Sequence, residues 1–184
     1  MKSLKSYIQE KLIINSLQEK LVIKKSNHYK YFPETKKELQ DIIKKRIEVE
    51  GSEVDLNDID VSNITDMSNL FLRKDFNGDI SSWDVSNVKN MSDMFVNCFK
   101  FNKDISSWDV SNVKNMSEMF IGCRNFNYDI SNWNVSNVTD MTSMFNGCKS
   151  FNQDISKWDV SKVKEHYFMF SNCDIQDKYK PKFK

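Results

Sequence analysis

The sequence predicts an α/β repeat solenoid of the leucine-rich-repeat type, with one short strand and one short helix in each 25-residue repeat. Three observations predict this class. Side chains recur at intervals of 25 residues, two apolar spacings alternate within each repeat, and a helical pattern with start and stop signals precedes the repeats as an N-terminal helical cap.

The repeat is visible in columns of side chains that recur every 25 residues. The block DISSWDVSNVKNMSEMF returns almost unchanged, and a degenerate first copy places Ile59 in the tryptophan column. Stacked repeats bury a continuous core that no single repeat can bury alone. We therefore expect three columns to form the structural core: Trp83, Trp108, Trp133 and Trp158; Phe95, Phe120, Phe145 and Phe170; and Cys98, Cys123 and Cys148.

Within one repeat, two spacings of apolar residues follow each other. The spacing of Ile105, Trp108 and Val110 suits a short strand. After Ser111, a natural N-cap residue, the apolar positions share one helical face and predict a short helix. These positions are Val113, Met116, Met119, Phe120 and Cys123.

The flanking segments predict a cap, a second helix and a tail. Residues 34–48 form a helical pattern between Pro33 and Gly51, with one apolar face made by Leu39, Ile42, Ile43 and Ile47. Residues 3–24 form a second amphipathic pattern, in which Leu4, Ile8 and Leu12 share a stripe that either packs on the cap or docks on a partner. The predicted units are therefore an amphipathic helix (1–25), a helical cap (26–54), the repeats (55–173) and a basic tail (174–184).

The repeat also carries a family resemblance. The unit MFxxCxxFNxDISxWDVSNVxxM resembles the repeat of BspA-type leucine-rich repeat proteins of bacteria, over roughly residues 55–173. This resemblance implies adhesion or protein recognition, with no known chemistry. The first twelve residues, MKSLKSYIQEKL, resemble leader segments on proteins of tailed phages of gut bacteria, which implies a phage-encoded or virion-associated protein.

Charge and hydropathy argue against several classes of protein. The 27 Lys and Arg residues nearly balance the 26 Asp and Glu residues, so the net charge of +1 gives no reason to expect a nucleic-acid partner. No apolar run is long enough for a transmembrane helix, so membrane insertion is not expected. The opening residues lack the apolar stretch of a secretory signal, which favours a cytoplasmic or virion-associated location over the cell surface.

The cysteine and aspartate columns suggest metal sites, but each has a structural interpretation. Cysteines 25 residues apart match no zinc-ligand spacing, and equivalent positions in stacked repeats lie beyond the reach of a disulfide. We expect reduced, buried thiols and no metal or cofactor. The aspartates of the columns that start at Asp79 and Asp84 would either coordinate Ca²⁺ or form Asx turns at the ends of strands.

Catalysis finds no support in the sequence. The chain has two histidines, His28 and His166, with no plausible serine or cysteine partner nearby in the sequence, and it has no phosphate-binding glycine loop. No catalytic residue is therefore predicted. The tryptophans are expected to point inward, although an outward strip would make a platform for glycans.

The predicted function is a non-catalytic interaction module that binds a protein partner, alone or within a larger complex or virion. The alternative is a surface adhesin that binds a host matrix protein or a glycan. Binding is expected through the exposed positions of the strand face and through the N-terminal helix. The strand-face residues are Ser82, Asp84, Ser107, Asp109, Asn132, Asn134, Lys157 and Asp159.

Overall fold

The computed structural model of the chain describes residues 29–183. Within this range there is one α-helix, α1 (Lys36–Glu50), and one short 3-10 helix (Asp177–Tyr179). The described residues form isolated parallel β-bridges instead of continuous strands. The predicted α/β solenoid, with a strand and a helix in every repeat, is therefore wrong.

Helix α1 begins and ends at the signals that the sequence contains. Thr35 accepts a hydrogen bond from the Glu38 N–H, and the Glu38 carboxylate accepts one from the Thr35 N–H, which forms a capping box. Gly51 ends the helix with a φ of 89°. Leu39 and Ile43 are fully buried in the core shared with the repeats. The helix expected over 34–48 is thus present, and it covers the N-terminal end of the repeats.

Behind α1, the chain makes five turns that stack in register. We number them repeat 1 (55–78), repeat 2 (79–103), repeat 3 (104–128), repeat 4 (129–153) and repeat 5 (154–173), followed by a tail (174–183). Parallel bridges join equivalent positions of all five repeats, through Asp66, Asn90, Asn115, Asp140 and Glu165.

Each repeat contributes one stretch to a continuous hydrogen-bond ladder, which we call its ladder segment (66–73, 90–97, 115–122, 140–147 and 165–172). Between repeats 2 and 3, four N–H groups donate to four carbonyls at 2.8–3.0 Å, and the same pattern joins every neighbouring pair of repeats. All four N–H groups point towards the next repeat, whereas in a β-strand donors and acceptors alternate along each edge. The four pairs are Met91 to Asn115, Asp93 to Ser117, Phe95 to Met119 and Asn97 to Ile121.

The ladder segment looks helical in the sequence because it is a series of tight turns. In repeat 3, the N–H groups of Met119, Ile121 and Cys123 each donate to the carbonyl three residues earlier. Glu118 and Gly122 adopt left-handed φ values of 58° and 72°, which turn the chain away from a helix. Successive three-residue steps place every third side chain on the core side, so the apolar spacing is the same as that of a short helix.

The predicted strand is also a turn. The Trp108 N–H donates to the Ile105 carbonyl at 3.2 Å, and the Asp104 carboxylate accepts from the Ser106 N–H at 2.9 Å. These local hydrogen bonds close the chain on itself, so the backbone cannot extend into a ladder of paired strands.

Stacked aromatic rings fill the interior. One column contains Phe71 and its equivalents up to Phe170, with ring centroids 5.3–5.9 Å apart and planes within 7° of parallel. A second column, from Phe76 to Phe151, packs beside the first with centroids 4.0–4.3 Å away. Such offset stacks of large rings contribute strongly to core stability.

Candidate functional site

The residues of the predicted strand face form exposed columns along the stack, but most of their polar groups already have partners. Asp84, Asp109 and Asn134 each accept a hydrogen bond from the N–H two residues later. Asp159 accepts from the Ser161 N–H in the same way. The face is therefore a row of Asx turns.

The remaining residues of this face add contacts between repeats. The Ser107 hydroxyl donates to the Ser81 carbonyl at 3.0 Å, and the Asn132 amide donates to the Ser106 carbonyl at 3.0 Å. The Ser82 N–H donates to the Asn57 side chain, while Lys157 is exposed. Leu4, Ile8 and Leu12 of the predicted docking helix lie outside the described residues.

The tryptophan column lies inside the stack. Trp83, Trp108, Trp133 and Trp158 are only 4–5% exposed. Each indole N–H donates to a carbonyl of the preceding repeat, as Trp108 does to Ile80 at 3.2 Å. These four rings therefore offer no exposed strip on which a glycan could stack.

The cysteine column is also internal. All four cysteines are free thiols, and Cys98, Cys123 and Cys148 are fully buried. The Cys123 thiol donates to the Phe95 carbonyl at 3.0 Å, and its two buried equivalents make the same contact. Burial raises the pKa of the Cys98 thiol to about 12 and raises the pKa of Cys123 and Cys148 well above the ordinary value. These groups are therefore protonated, structural and poorly nucleophilic.

The first aspartate column also forms turns. Asp79, Asp104, Asp129 and Asp154 each accept from the N–H of the serine two residues later. In the described part of the chain, no three His, Cys, Asp or Glu side chains converge as potential metal ligands. No helix within residues 29–183 is long and apolar enough to cross a membrane.

A groove of about 620 Å³ runs along one edge of the ladder, and we call it the basic groove. It extends from repeat 1 to repeat 5, and its walls come from the ends of the ladder segments and from the turns that follow them. Its lining residues are Arg73, Val96, Asn97, Phe99, Glu118, Ile121, Gly122, Arg124, Asn146, Gly147, Lys149 and Asn172.

The charges of the basic groove are mostly positive and uncompensated. Arg73, Arg124 and Lys149 are exposed and form no salt bridge among residues 29–183. The Arg124 guanidinium lies 5.0 Å from the centre of the Phe99 ring, which holds it by a cation–π contact. Burial, with Asp93 nearby, raises the pKa of Glu118, the one carboxylate of the lining, above its ordinary value.

Two glycines leave backbone exposed on the floor of the groove. Gly122 and Gly147 adopt left-handed φ values of 72° and 78°, which other residues adopt only with strain. A side chain at Gly122 would also place its Cβ 2.4 Å from Oδ1 of Asn97. Both positions therefore favour glycine, which keeps this part of the floor free of side chains.

Sequence reasoning missed this groove, although a signal for it is present. The core columns are nearly identical in the middle repeats, whereas the columns that line the groove change. Phe99, Arg124 and Lys149 occupy one column, and Asn97, Gly122 and Gly147 occupy another. Core packing does not fix these positions, so their variation from one repeat to the next is the sequence signal that distinguishes the groove from the core columns.

Comparison with known families gives one match that covers most of the chain. The model of the family described as "Mycoplasma protein of unknown function, DUF285" matches residues 37–127 and 106–180. No curated protein and no solved structure matches the chain. The matched residues span α1, all five repeats and part of the tail, and the chain therefore belongs to the DUF285 family.

Proposed function

We infer that the chain is a non-catalytic protein-interaction module that binds an acidic segment of a partner protein along the basic groove. The observation that carries this proposal is the group of three exposed cations that line the groove, Arg73, Arg124 and Lys149, without a salt-bridge partner among residues 29–183. Arginine is enriched at the energetic centres of protein interfaces, where it binds carboxylates through paired hydrogen bonds.

The shape of the groove supports an extended segment as the occupant. The groove crosses successive repeats, so a bound chain would meet cations, amides and exposed backbone along its length. Asn97, Asn146 and Asn172 supply amides along its length, beside the glycine floor. Extended segments are commonly recognised through backbone hydrogen bonds together with charge complementarity.

The test is binding of a short labelled peptide of alternating glutamate and serine, measured by fluorescence anisotropy. The variant R73E/R124E/K149E should bind it about tenfold more weakly or worse, because each exposed ion pair contributes about 0.2–1 kcal/mol and reversal also adds repulsion. Affinity for the unaltered chain should fall strongly near 1 M salt, where the Debye length is about 3 Å.

A matched control makes the same change in net charge at positions outside the groove. The variant K89E/K114E/K164E alters three exposed lysines that do not line it. If this control weakened binding as much as the groove variant does, attraction would follow net charge alone and the groove assignment would fail.

The likeness to BspA-type leucine-rich repeat proteins supports a recognition role. The N-terminal sequence, with its amphipathic stripe and its resemblance to phage leader segments, adds two finer proposals. Residues 1–25 would serve as a second docking element through Leu4, Ile8 and Leu12, and the protein would act in a phage virion or its assembly. Detection of the protein in purified virions by mass spectrometry tests that setting. Retention on host matrix protein, with absence from virions, would instead favour an adhesin.

A further inference from the structure

The C-terminal end of the stack presents a row of backbone donors without acceptors. The N–H groups of His166, Phe168, Phe170 and Asn172 stand where those of Met141, Ser143, Phe145 and Gly147 stand in repeat 4. In repeat 4 each of these groups donates to repeat 5 at 2.8–2.9 Å, but in repeat 5 the four have no acceptor among the described residues. We call them the terminal N–H row.

The orientation of the ladder makes this row electropositive. In the ladder segments of repeats 1 to 4, the four peptides that reach the next repeat direct their N–H groups towards the C-terminal end, so the dipoles of these peptides add along the stack, as they do in a helix. Aligned, unpaired N–H groups form a concave site that prefers oxygen acceptors and negative charge.

A slot of about 370 Å³ lies beside this row, and we call it the terminal slot. One wall is the ladder segment of repeat 5, and the other is the tail from Lys180 to Phe183. Phe183 stacks on His166 with ring centroids 4.0 Å apart, and Pro181 is buried, so the tail is packed in place. Phe168 stands at the edge of the slot with 72% of its surface exposed.

These features exclude a second copy of the chain as the natural occupant. The complementary carbonyl row of a second copy lies at its N-terminal end, which α1 covers. Two C-terminal ends would bring donors against donors. The packed tail also takes part of the place that a complete sixth repeat would need, and this leaves room for one segment of chain.

The geometry points to the terminal slot as a docking site for a single acidic segment of a partner protein, whose carbonyl and carboxylate oxygens accept from the terminal N–H row. The surroundings match this occupant in charge. Residues 162–183 contain five lysines and three carboxylates, and Lys180 lines the slot itself, where it also pairs with Asp177. This proposal goes beyond the basic groove and does not require it.

The test uses ¹⁵N-labelled R73E/R124E/K149E protein, so that failure of the groove proposal does not affect the result. On addition of a peptide of alternating aspartate and valine, the amide signals of His166, Phe168, Phe170 and Asn172 should shift to lower field. Those of Met141, Ser143, Phe145 and Gly147, which already have acceptors, should not move.

The variant Phe168→Gly gives a second test of binding, because this substitution should weaken binding without unfolding the protein. Phe168 has a left-handed φ of 57°, which glycine adopts without strain. Removing the Phe168 ring should lower the affinity for the peptide by about fivefold. The matched variant Ser143→Gly, at the same position of repeat 4 with a φ of 54°, should leave affinity unchanged.

Four results would overturn the proposal. The first is an absence of amide shifts at millimolar peptide, and the second is the same shifts with inorganic phosphate, which would indicate a simple anion site. The third is self-association in which the N–H groups of the terminal row donate to a second copy of the chain. The fourth is a shift of these amides on deletion of residues 1–28, which would make that segment the occupant.

Discussion

The two ends of the repeat stack are built from equivalent ladder segments, yet they expose opposite chemistry. At the N-terminal end the ladder of repeat 1 presents carbonyls, and lysines lie against it. Lys74 donates to the Leu70 carbonyl at 3.0 Å, and Lys36 pairs with Asp66 at 3.2 Å and also donates to Ser68. At the C-terminal end repeat 5 presents N–H groups, and residues 161–168 are almost all exposed.

The difference shows how a polar ladder controls the ends of a repeat protein. In a β-sheet both edges carry donors and acceptors, so the two edges are equivalent in chemistry. Here the four N–H groups of each ladder segment that reach the next repeat all face one way, so the ladder presents carbonyls that need donors at one end and N–H groups that need oxygen atoms at the other. At the first end, Lys74 donates to one of these carbonyls, that of Leu70, and Lys36 binds the side chains of Asp66 and Ser68. At the second end, the terminal N–H row meets no acceptor within residues 29–183.

The largest expected contrast is in thiol reactivity between the interior and the open end. At neutral pH, Cys98, Cys123 and Cys148 should react with an alkylating reagent more than a hundredfold more slowly than an exposed thiol, because burial suppresses the thiolate. Cys173, which is only partly buried, should react first. Mass spectrometry of digested, time-quenched samples measures the order.

Complete unfolding in urea should make all four thiols react at one rate, and reductant should not change the melting temperature. Equal native rates, or a melting temperature that falls on reduction, would contradict the buried-thiol assignment.

The second contrast is in stability. Leu39→Ala should lower the free energy of unfolding by about 2–5 kcal/mol, because a fully buried side chain of the covered end leaves a cavity. Tyr167→Ala at the open end should change it by less than about 0.5 kcal/mol, since Tyr167 is 65% exposed. Urea denaturation followed by tryptophan fluorescence compares the two. Equal losses would mean that the open end is covered in solution.

A third prediction concerns acid sensitivity of the covered end. Burial would by itself raise the pKa of Asp58, but hydrogen bonds from Arg46, at 2.9 Å, and from Lys30 outweigh it and hold the pKa below its ordinary value. The stability from this pair is therefore present above about pH 4, the unfolded pKa, and is lost as the pH falls through the lower folded pKa. Arg46→Met should cost about 1.5–3 kcal/mol at neutral pH and less in acid.

The control for this prediction is Lys44→Met. Lys44 and Glu48 form an exposed pair at 3.9 Å, which contributes little. Thermal melts of both variants between pH 7 and about pH 2 give the comparison, and equal pH dependence in the two variants would rule out the Asp58 assignment.

The smallest expected effect is a gain in stability. Phe168→Gly should raise the free energy of unfolding by up to about 1 kcal/mol, because it relieves a left-handed backbone at a side chain that buries little. Ser143→Gly should gain less, because Ser143 is 9% exposed and its side chain loses packing. Chemical denaturation of the two variants side by side measures the difference. A loss of stability in Phe168→Gly would show that the ring packs on something in solution.

The sequence by itself determined the parts of this protein that depend on local or periodic information. The 25-residue register, the identity of the core columns and the limits of the cap helix near Pro33 and Gly51 all follow from residue types at fixed spacings. Trp108 and Phe120 are buried because their positions recur on the inner side of every repeat, and this recurrence is visible in the sequence.

Only the tertiary structure decided the backbone path and the surfaces. Apolar residues three apart fit a short helix and a series of turns equally well. The choice was made by hydrogen bonds between residues about 25 positions apart, such as Phe95 to Met119. Those bonds also fix the direction of the ladder, the opposite chemistry of its ends and the grouping of three cations in the basic groove. None of these features is encoded in a local stretch, because each exists only when one repeat lies against the next.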